Sequence, residues 1–237
     1  DAVDSGGGGT ASYPTPALGD YDGSALLVYN DATFSERDFE SISSIGKSRK
    51  REDSATIGRY GLGFNVSYHF TDVVQFVSGD DVVLFDPHGR ALPDGQLGMR
   101  ATFTGGLGAQ YPSLLAPLLR PLARLAGTDD TRAAADDSGI DYTKRVDGTL
   151  FRLPLRSAEQ AASSQLSKRS VSAEDVRGLL SNLCEAGLGE MLLFTQSLTS
   201  VRACVMEADG SFTTLGSASV LPSPSPSLTT ANALSPS

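Results

Sequence analysis

Short apolar runs bounded by polar turns dominate the middle of the chain. A compact run that ends at Asn30 and Asp31 is typical of a buried strand. Two runs around a Ser-Gly-Asp-Asp turn predict a hairpin, because Gly and Asp accept the positive backbone angles of tight turns. Pro154 indicates an edge or an irregular end for a later strand. The predicted strands cover residues 25–29, 73–77, 82–85, 149–155, 191–194 and 201–206.

Two segments carry the signature of a capped helix. Ser35 is an N-cap residue with Asp38 three positions later, and Phe34 and Phe39 flank them as a hydrophobic staple. The same arrangement recurs from Ser172, before a second apolar stripe that ends in a glycine. Both segments therefore predict amphipathic helices.

Further helical signals are shorter or interrupted. Residues 64–70 predict one short helix, and residues 114–125 predict either one helix or two turns, because Pro117 and Pro121 interrupt them. Helices mixed with sequence-adjacent antiparallel strands predict an α+β fold, in which a sheet is covered by helices on one face in two layers.

The ends of the chain differ in composition from the patterned region. Residues 1–23 are rich in Gly, Ser and Pro and predict a disordered lead, and residues 221–237 predict a disordered Ser/Pro-rich tail. Within the predicted domain, residues 24–220, the stretch 127–139 has paired aspartates and alanines that predict a flexible insertion. The sequence thus predicts one domain between two tails.

Composition excludes several classes of function. The formal net charge is −9 in 237 residues, which argues against a nucleic-acid partner because phosphate binding needs a basic face. No apolar run approaches the roughly 20 residues of a membrane-spanning helix. Two cysteines are too few for a disulfide framework, and His69 and His88 lack metal-ligand partners at suitable spacing. We therefore expect no membrane segment and no metal ligand.

One glycine-rich stretch, GRYGLGFN at residues 58–65, leads into the predicted short helix. Glycine lets a ligand approach the backbone where a Cβ would block it, and N–H groups at a helix start favour phosphate. A tight turn needed only for packing explains the glycines equally well. The spacing G-x-x-G-x-G differs from the dinucleotide fingerprint, so a Rossmann fold is not predicted.

A second phosphate-like signal, Gly46-Lys47-Ser48, resembles the end of a P-loop. Ser41 stands where the first glycine of that motif belongs, and the residues before it predict a helix. Lys47 and the following cations suit the negative end of a helix dipole, which favours a solvated helix terminus. A phosphate-facing Lys47 is the alternative interpretation.

Four segments in their order along the chain resemble the sacsin family. They are LLVYNDATFSERDFESISSIGKSRK, IGRYGLGFNVSYHFTD, DPHG and DGTLFRLPLR, at residues 26–50, 57–72, 86–89 and 147–156. Modules of this family are similar to the ATP-binding domain of Hsp90 and stand in one ATPase group with gyrase, histidine kinases and MutL. The resemblance spans residues 25–220. It implies a Bergerat fold, a mixed and mostly antiparallel sheet that holds nucleotide between its helices and a lid.

The resemblance also implies which residues bind nucleotide. Asp31 matches the aspartate that accepts a hydrogen bond from the adenine amino group, with Asn30 as the neighbouring alternative. Thr149 matches a threonine that supports the adenine site. Lys47 matches a lysine of the lid near phosphate. The box whose backbone N–H groups contact phosphate is matched by Gly58, Gly61, Gly63 and Phe64.

The first helix of this family, which carries a catalytic glutamate and a magnesium-binding asparagine, has no match here. No Glu precedes Asp31, and only Asp1-Ala2 could be a remnant of that motif. We therefore assign no catalytic or metal-binding residue, expect an N-terminally incomplete fold, and leave ATPase activity open. ATP or ADP is the expected ligand, with Mg²⁺ only if the missing helix is supplied.

The resemblance implies an Hsp90-like module of a cytoplasmic co-chaperone that assists folding and quality control. Hsp70-class chaperones, unfolded clients and neighbouring domains of a larger chain are the implied partners. The alternative is an interaction or structural domain that uses this fold without nucleotide. Phosphotransfer of the histidine-kinase type lacks a phosphoacceptor histidine helix in this sequence.

Overall fold

An antiparallel five-stranded sheet is the centre of the fold. The computed structural model describes residues 13–43, 62–125, 140–195 and 197–221. The strands run in the order β1-β5-β2-β3-β4, and every neighbouring pair is antiparallel. They are β1 Ala25–Asn30, β2 Val74–Gly79, β3 Asp81–Phe85, β4 Gly98–Thr102 and β5 Val146–Pro154.

Six helices accompany this sheet, and a separate hairpin follows it. The helices are α1 Glu36–Ser43, α2 Leu62–Asn65, α3 Gly108–Gln110, α4 Pro112–Leu125, α5 Ala158–Ser163 and α6 Ala173–Leu193. A 3-10 turn, Val66–His69, continues α2 directly. The hairpin consists of β6 Ser200–Met206 and β7 Phe212–Ser219. The fold is α+β, with a sheet and helices packed in a two-layer sandwich.

The main helical layer covers one face of the sheet. Because side chains alternate along a strand, one face of β2, β3 and β5 presents aliphatic residues to the apolar side of α4. Pro117 and Pro121 lie inside α4, which is nevertheless one continuous helix. The packing of its leucines against the sheet explains how the helix tolerates them. The buried residues of this cluster include Val77, Val82, Leu84, Leu114, Leu115, Leu118 and Leu150.

The opposite face of the sheet is aromatic and is covered by shorter elements. Phe34 and Phe39 from the α1 region pack on ring faces contributed by the strands, with ring centroids 4.7–6.3 Å apart. We call this set the aromatic cluster; it consists of Phe34, Phe39, Phe76, Phe85 and Phe151. The sheet thus carries an aliphatic face and an aromatic face.

Local signals around α1 are confirmed. The amide and the hydroxyl of Ser35 both donate to Asp38 Oδ2, at 2.8 and 2.7 Å. The rings of Phe34 and Phe39 lie 5.3 Å apart, as a hydrophobic staple requires. Arg100 on β4 lies over the Phe39 ring, 3.8 Å from its centroid. These contacts hold the start of α1 over the aromatic face.

Two details of the predicted ordered region differ in the structure. β5 pairs with β1 on one side and β2 on the other, so Pro154 ends an interior strand and does not mark an edge. Residues 16–21, inside the predicted lead, form a 3-10 helix whose Leu18 is buried. A single turn begun by proline is too short for a periodic pattern to reveal it.

The chain separates into two compact units. The first comprises residues 1–177 and 208–211, and the second comprises residues 178–207 and 212–237. In the second unit, residues 191–193 are helical, so the predicted strand at 191–194 is wrong. The chain turns at Gly187 with φ of +120° and then resumes a helix that buries Leu188 and Leu192, four residues apart.

Candidate functional site

The end of β1 meets the middle of β5 at a polar corner of the aromatic face. Asn30 pairs with Thr149 in the strand register. The side-chain oxygen of Asn30 accepts the Ala32 amide at 3.1 Å, and the Thr149 hydroxyl donates to the Ala32 carbonyl at 2.8 Å. Asp31 lies between these anchored residues and is exposed. The structure therefore brings Asn30, Asp31 and Thr149 together.

Further hydrogen bonds hold the loop after β1 on the sheet. Ser78 Oγ lies 2.7 Å from the Thr149 hydroxyl oxygen and accepts the Phe34 amide at 2.8 Å. The Gly148 amide donates to Thr33 Oγ1 at 3.1 Å. Thr149 and Ser78 are both buried. The Thr149 hydroxyl is satisfied within the protein, so it supports the loop that presents Asp31.

Gly148 is required by the close approach of β1 and β5. Its φ is +122°, a value that other residues rarely adopt. A Cβ at this position would stand 2.6 Å from the Asn30 carbonyl oxygen and 2.8 Å from the Tyr29 ring. The Tyr29 hydroxyl donates to the Asp147 carbonyl across the same gap, at 3.1 Å. A glycine directly before Thr149 is thus a geometric requirement of this corner.

Phe64 lies on the same face of the sheet as Thr149, but over a different strand. Its ring is 5.3 Å from Phe85 on β3 and 5.9 Å from Tyr68 in the next turn of its own helix. Gly63 is exposed. β3 is two strands away from β5, a lateral separation of about 10 Å at normal strand spacing. Phe64 and Asp31 are therefore separated by the width of the aromatic cluster.

Three predicted site residues fall outside the described part of the chain. Lys47, Gly58 and Gly61 belong to residues 44–61, which lie between α1 and α2. The predicted proximity of the glycine-rich segment to Asp31 and Thr149 is thus tested for Phe64 alone, which shares their face. For the other three residues it stays a prediction.

A charged group borders the aromatic cluster on the β4 side. Arg100 donates to Glu36 Oε2 at 2.7 Å and to Asp81 Oδ2 at 2.8 Å. The hydrogen bond from Arg100 holds the pKa of the Glu36 carboxyl below its usual range, and the two carboxylates raise the pKa of Arg100. The groups satisfy one another, so this arrangement attaches α1 to the sheet and offers no acid–base pair.

The DPHG segment forms a closed turn. Buried Asp86 accepts three backbone amides, from His88 at 3.0 Å and from Arg90 and Ala91 at 2.6 Å each. His88 Nε2 accepts the Gln165 amide at 2.9 Å. Within the described ranges, no group of three His, Cys, Asp or Glu side chains is placed to hold a metal ion. Asp86 therefore organises the loop after β3.

One buried ion pair was not predicted from the sequence. Arg156 and Asp72 are 0% and 4% exposed in their side chains, with Nη2 2.8 Å from Oδ1. Arg156 ends the segment DGTLFRLPLR, and Asp72 ends IGRYGLGFNVSYHFTD. Two opposite charges at the ends of segments that share one site are the signal that could have revealed this pair.

Comparison with known proteins agrees with the arrangement of these segments. A family model described as the sacsin domain matches residues 8–215. Sacsin from Homo sapiens is 32% identical over 187 residues, which cover 78% of this chain and 4% of that protein. The chain therefore spans a small part of the length of this relative. Among the residues described, no helix has the length and apolar character needed to cross a membrane.

Proposed function

The chain belongs to the sacsin family, and from this premise we propose that it is an Hsp90-like module that binds an adenine nucleotide. The observation that carries the proposal is the presentation of Asp31. Its neighbours Asn30 and Ala32 are tied to each other and to Thr149, while Asp31 itself is exposed. A carboxylate held in this way can accept a hydrogen bond from the adenine amino group.

The rest of the nucleotide would extend over the aromatic face toward α2. Phe64 and Gly63 stand on that side, about 10 Å from β5 by strand spacing. In this proposal backbone N–H groups of the glycine-rich segment, with Gly58 and Gly61, contact the phosphates, and Lys47 adds a charge. ATP and ADP are both ligands. Mg²⁺ joins them only where a preceding helix supplies an asparagine.

The biological role proposed for the module is that of a co-chaperone domain in the cytoplasm. It would act with neighbouring domains of a larger chain, with Hsp70-class chaperones and with unfolded clients. The support for this role is membership of the family, and the sequence segments that carry that membership include those forming the polar corner. Nucleotide would then report its state through the helix that follows the glycine-rich segment.

Calorimetric titration with ATP, ADP and adenosine tests the proposed binding. Asp31→Asn should weaken binding of all three by about 1 to 3 kcal/mol, because the adenine amino group then faces a mispaired partner. Asp94→Asn, at an exposed residue with φ of +56°, removes the same charge and is the matched control. Equal affinities for both variants would reject Asp31 as the adenine acceptor.

Lys47→Ala separates the phosphate from the adenine contribution. It should lower the affinity for ATP while leaving that for adenosine unchanged, and the effect should be larger at low salt because the charge is partly screened. Equal losses for ATP and adenosine would exclude the phosphate role of Lys47.

A second candidate function is a protein-interaction domain without nucleotide. The observation that favours it is the filled aromatic face, where Phe34 packs against Phe76 and Phe151 at 5.3 and 6.1 Å. Thr149 is also fully buried. An absence of binding to ATP, ADP and adenosine in the titration above would select this candidate.

A further inference from the structure

Arg156 uses the full hydrogen-bonding capacity of its side chain in the protein interior. A guanidinium group has five N–H donors in a planar fork. Nε donates to Asp72 Oδ1 at 2.8 Å, and the Asp72 carboxylate also accepts the Ser164 hydroxyl at 2.9 Å. The other four bonds go to backbone carbonyls, those of Tyr68, Thr71, His69 and Arg169, at 2.7, 2.8, 3.3 and 3.3 Å.

Most of these carbonyls belong to the end of one helix. The last carbonyls of a helix have no partner within it and need donors from elsewhere. Tyr68 and His69 lie in the last turn of the helix formed by α2 and its 3-10 continuation, and Thr71 follows that turn. The backbone amide of Arg156 also donates to the Phe70 carbonyl, at 2.8 Å. Arg156 therefore holds four consecutive carbonyls, at residues 68–71.

The same helix carries Gly63 and Phe64 at its other end. It spans eight residues, Leu62 to His69, so a cation and its hydrogen bonds at one end fix where the other end lies. The Tyr68 side chain adds to the anchor, since burial raises the pKa of its phenol to about 12 and keeps it neutral. Movement at residues 68–71 would be transmitted to residues 62–64.

We propose that Arg156 is a positioning residue, which through Asp72 and the carbonyls of residues 68–71 sets the affinity of the module for the phosphate part of its nucleotide. The inference rests on the proposed function, because it assigns the phosphates to the Gly63 and Phe64 side of the aromatic face. Arg156 itself is fully buried and is placed to act through the helix alone.

Lysine cannot replace arginine in this position. An ammonium group has three donors on a flexible stem, so Arg156→Lys keeps the charge opposite Asp72 and leaves at least two acceptors unfilled. Asp72→Asn is the second variant, since it keeps an oxygen that can accept from Nε and removes the opposite charge. Both variants should loosen residues 68–71.

Arg152 provides a matched control on the same strand. It is 4% exposed and also donates to backbone carbonyls, those of Tyr21 and Gly23, and to the Gln75 side chain. Its partners lie outside residues 62–71. Arg152→Lys therefore measures the cost of weakening a buried arginine without moving the helix.

Two readouts on the full chain test the inference. Hydrogen exchange of the amides at residues 62–70 should be faster in Arg156→Lys and Asp72→Asn than in the wild type and in Arg152→Lys. Calorimetry should show the ATP affinity of Arg156→Lys about tenfold lower, the order of loss that follows from a small displacement of binding groups, with adenosine affinity within about twofold of wild type.

The outcomes separate the inference from the proposed function. If the wild type binds neither ATP nor adenosine, the proposed function and the effect on affinity both fail, and the exchange data alone decide whether Arg156 anchors the helix. If the wild type binds both and the ratio of their affinities is unchanged in Arg156→Lys, or changes equally in Arg152→Lys, Arg156 is a general stabilising residue and the inference is overturned.

Discussion

The Thr149 hydroxyl donates a hydrogen bond to the backbone carbonyl of Ala32 across 2.8 Å. The bond joins residues 117 positions apart and holds the loop after β1 on the central part of the sheet. Thr149 is fully buried, whereas Asp31, next to Ala32, is exposed. Thr149 thus controls the proposed adenine contact indirectly, through the conformation of this loop.

Thr149→Val should destabilise the fold. The substitution keeps the shape of the side chain and removes the bonds to Ala32 and Ser78, for an expected loss of about 1 to 3 kcal/mol in the free energy of unfolding. Chemical denaturation measures the loss. Thr102→Val is the control, because exposed Thr102 donates to Asp81 and should cost less than about 1 kcal/mol. Equal costs would show that the buried bonds are not special.

Two glycine substitutions should have opposite effects. Gly148→Ala should destabilise by about 1 to 3 kcal/mol or more, since Gly148 has a positive φ and a Cβ there would contact Asn30 and Tyr29. Gly63→Ala should leave stability unchanged or raised, because open space surrounds Gly63 in its helix.

Nucleotide titration separates the roles of these two glycines further. Gly63→Ala should weaken ATP binding despite its stable fold, because a Cβ blocks close approach of the phosphates. A Gly63→Ala variant that binds ATP as the wild type does would remove Gly63 from the site.

Much of the first half of the fold could be predicted from local signals. The cap at Ser35, the staple of Phe34 and Phe39, and the β2–β3 hairpin each depend on residues close in sequence. The strand expected at 191–194 failed because a short apolar run has no periodicity of its own. Burial of Leu188 and Leu192 decided its helical structure.

The candidate site divides in the same way. Asn30, Asp31 and Thr149 were predicted through the family resemblance, yet the register that pairs Asn30 with Thr149 is a long-range property of the sheet. Arg156 was missed because an arginine after a strand usually faces solvent. Only the folded chain shows it paired with Asp72 under the last turn of the α2 helix.

Attachment of α1 should depend on pH through Glu36. Its folded-state pKa lies below the ordinary value of 4.5, chiefly because Arg100 donates to it. The ionised form is therefore favoured by folding. Its contribution is complete above the ordinary pKa and is lost as the pH falls through the lowered one.

Thermal unfolding from about pH 6 to about pH 3 measures this contribution. Glu36→Gln should show a smaller decrease in melting temperature over this acid range than the wild type. Glu40→Gln removes the same charge from α1 outside the Arg100 pair and should retain the wild-type decrease. An unchanged acid profile in Glu36→Gln would contradict a stabilising role for the pair.

This chain should not hydrolyse ATP above background. Phosphoryl transfer to water needs a positioned base and a cation that offsets developing charge, and no Glu precedes Asp31 in this sequence. Steady-state phosphate release from contaminant-free protein is the measurement. A longer chain with an upstream helix carrying Glu and Asn should gain magnesium-dependent turnover. Phosphate release by the present chain that Asp31→Asn abolishes would show that the catalytic group lies elsewhere.

The central claim is that one nucleotide bridges the polar corner at Asp31 and the helix at Phe64. Hydrogen exchange with and without saturating ATP measures this most directly, because it reports both ends of the site in one experiment. We predict slower exchange at residues 31–35 and 62–70, with no change in α4, which packs on the aliphatic face. Protection confined to α4, or none at a concentration where calorimetry shows saturation, would contradict the account.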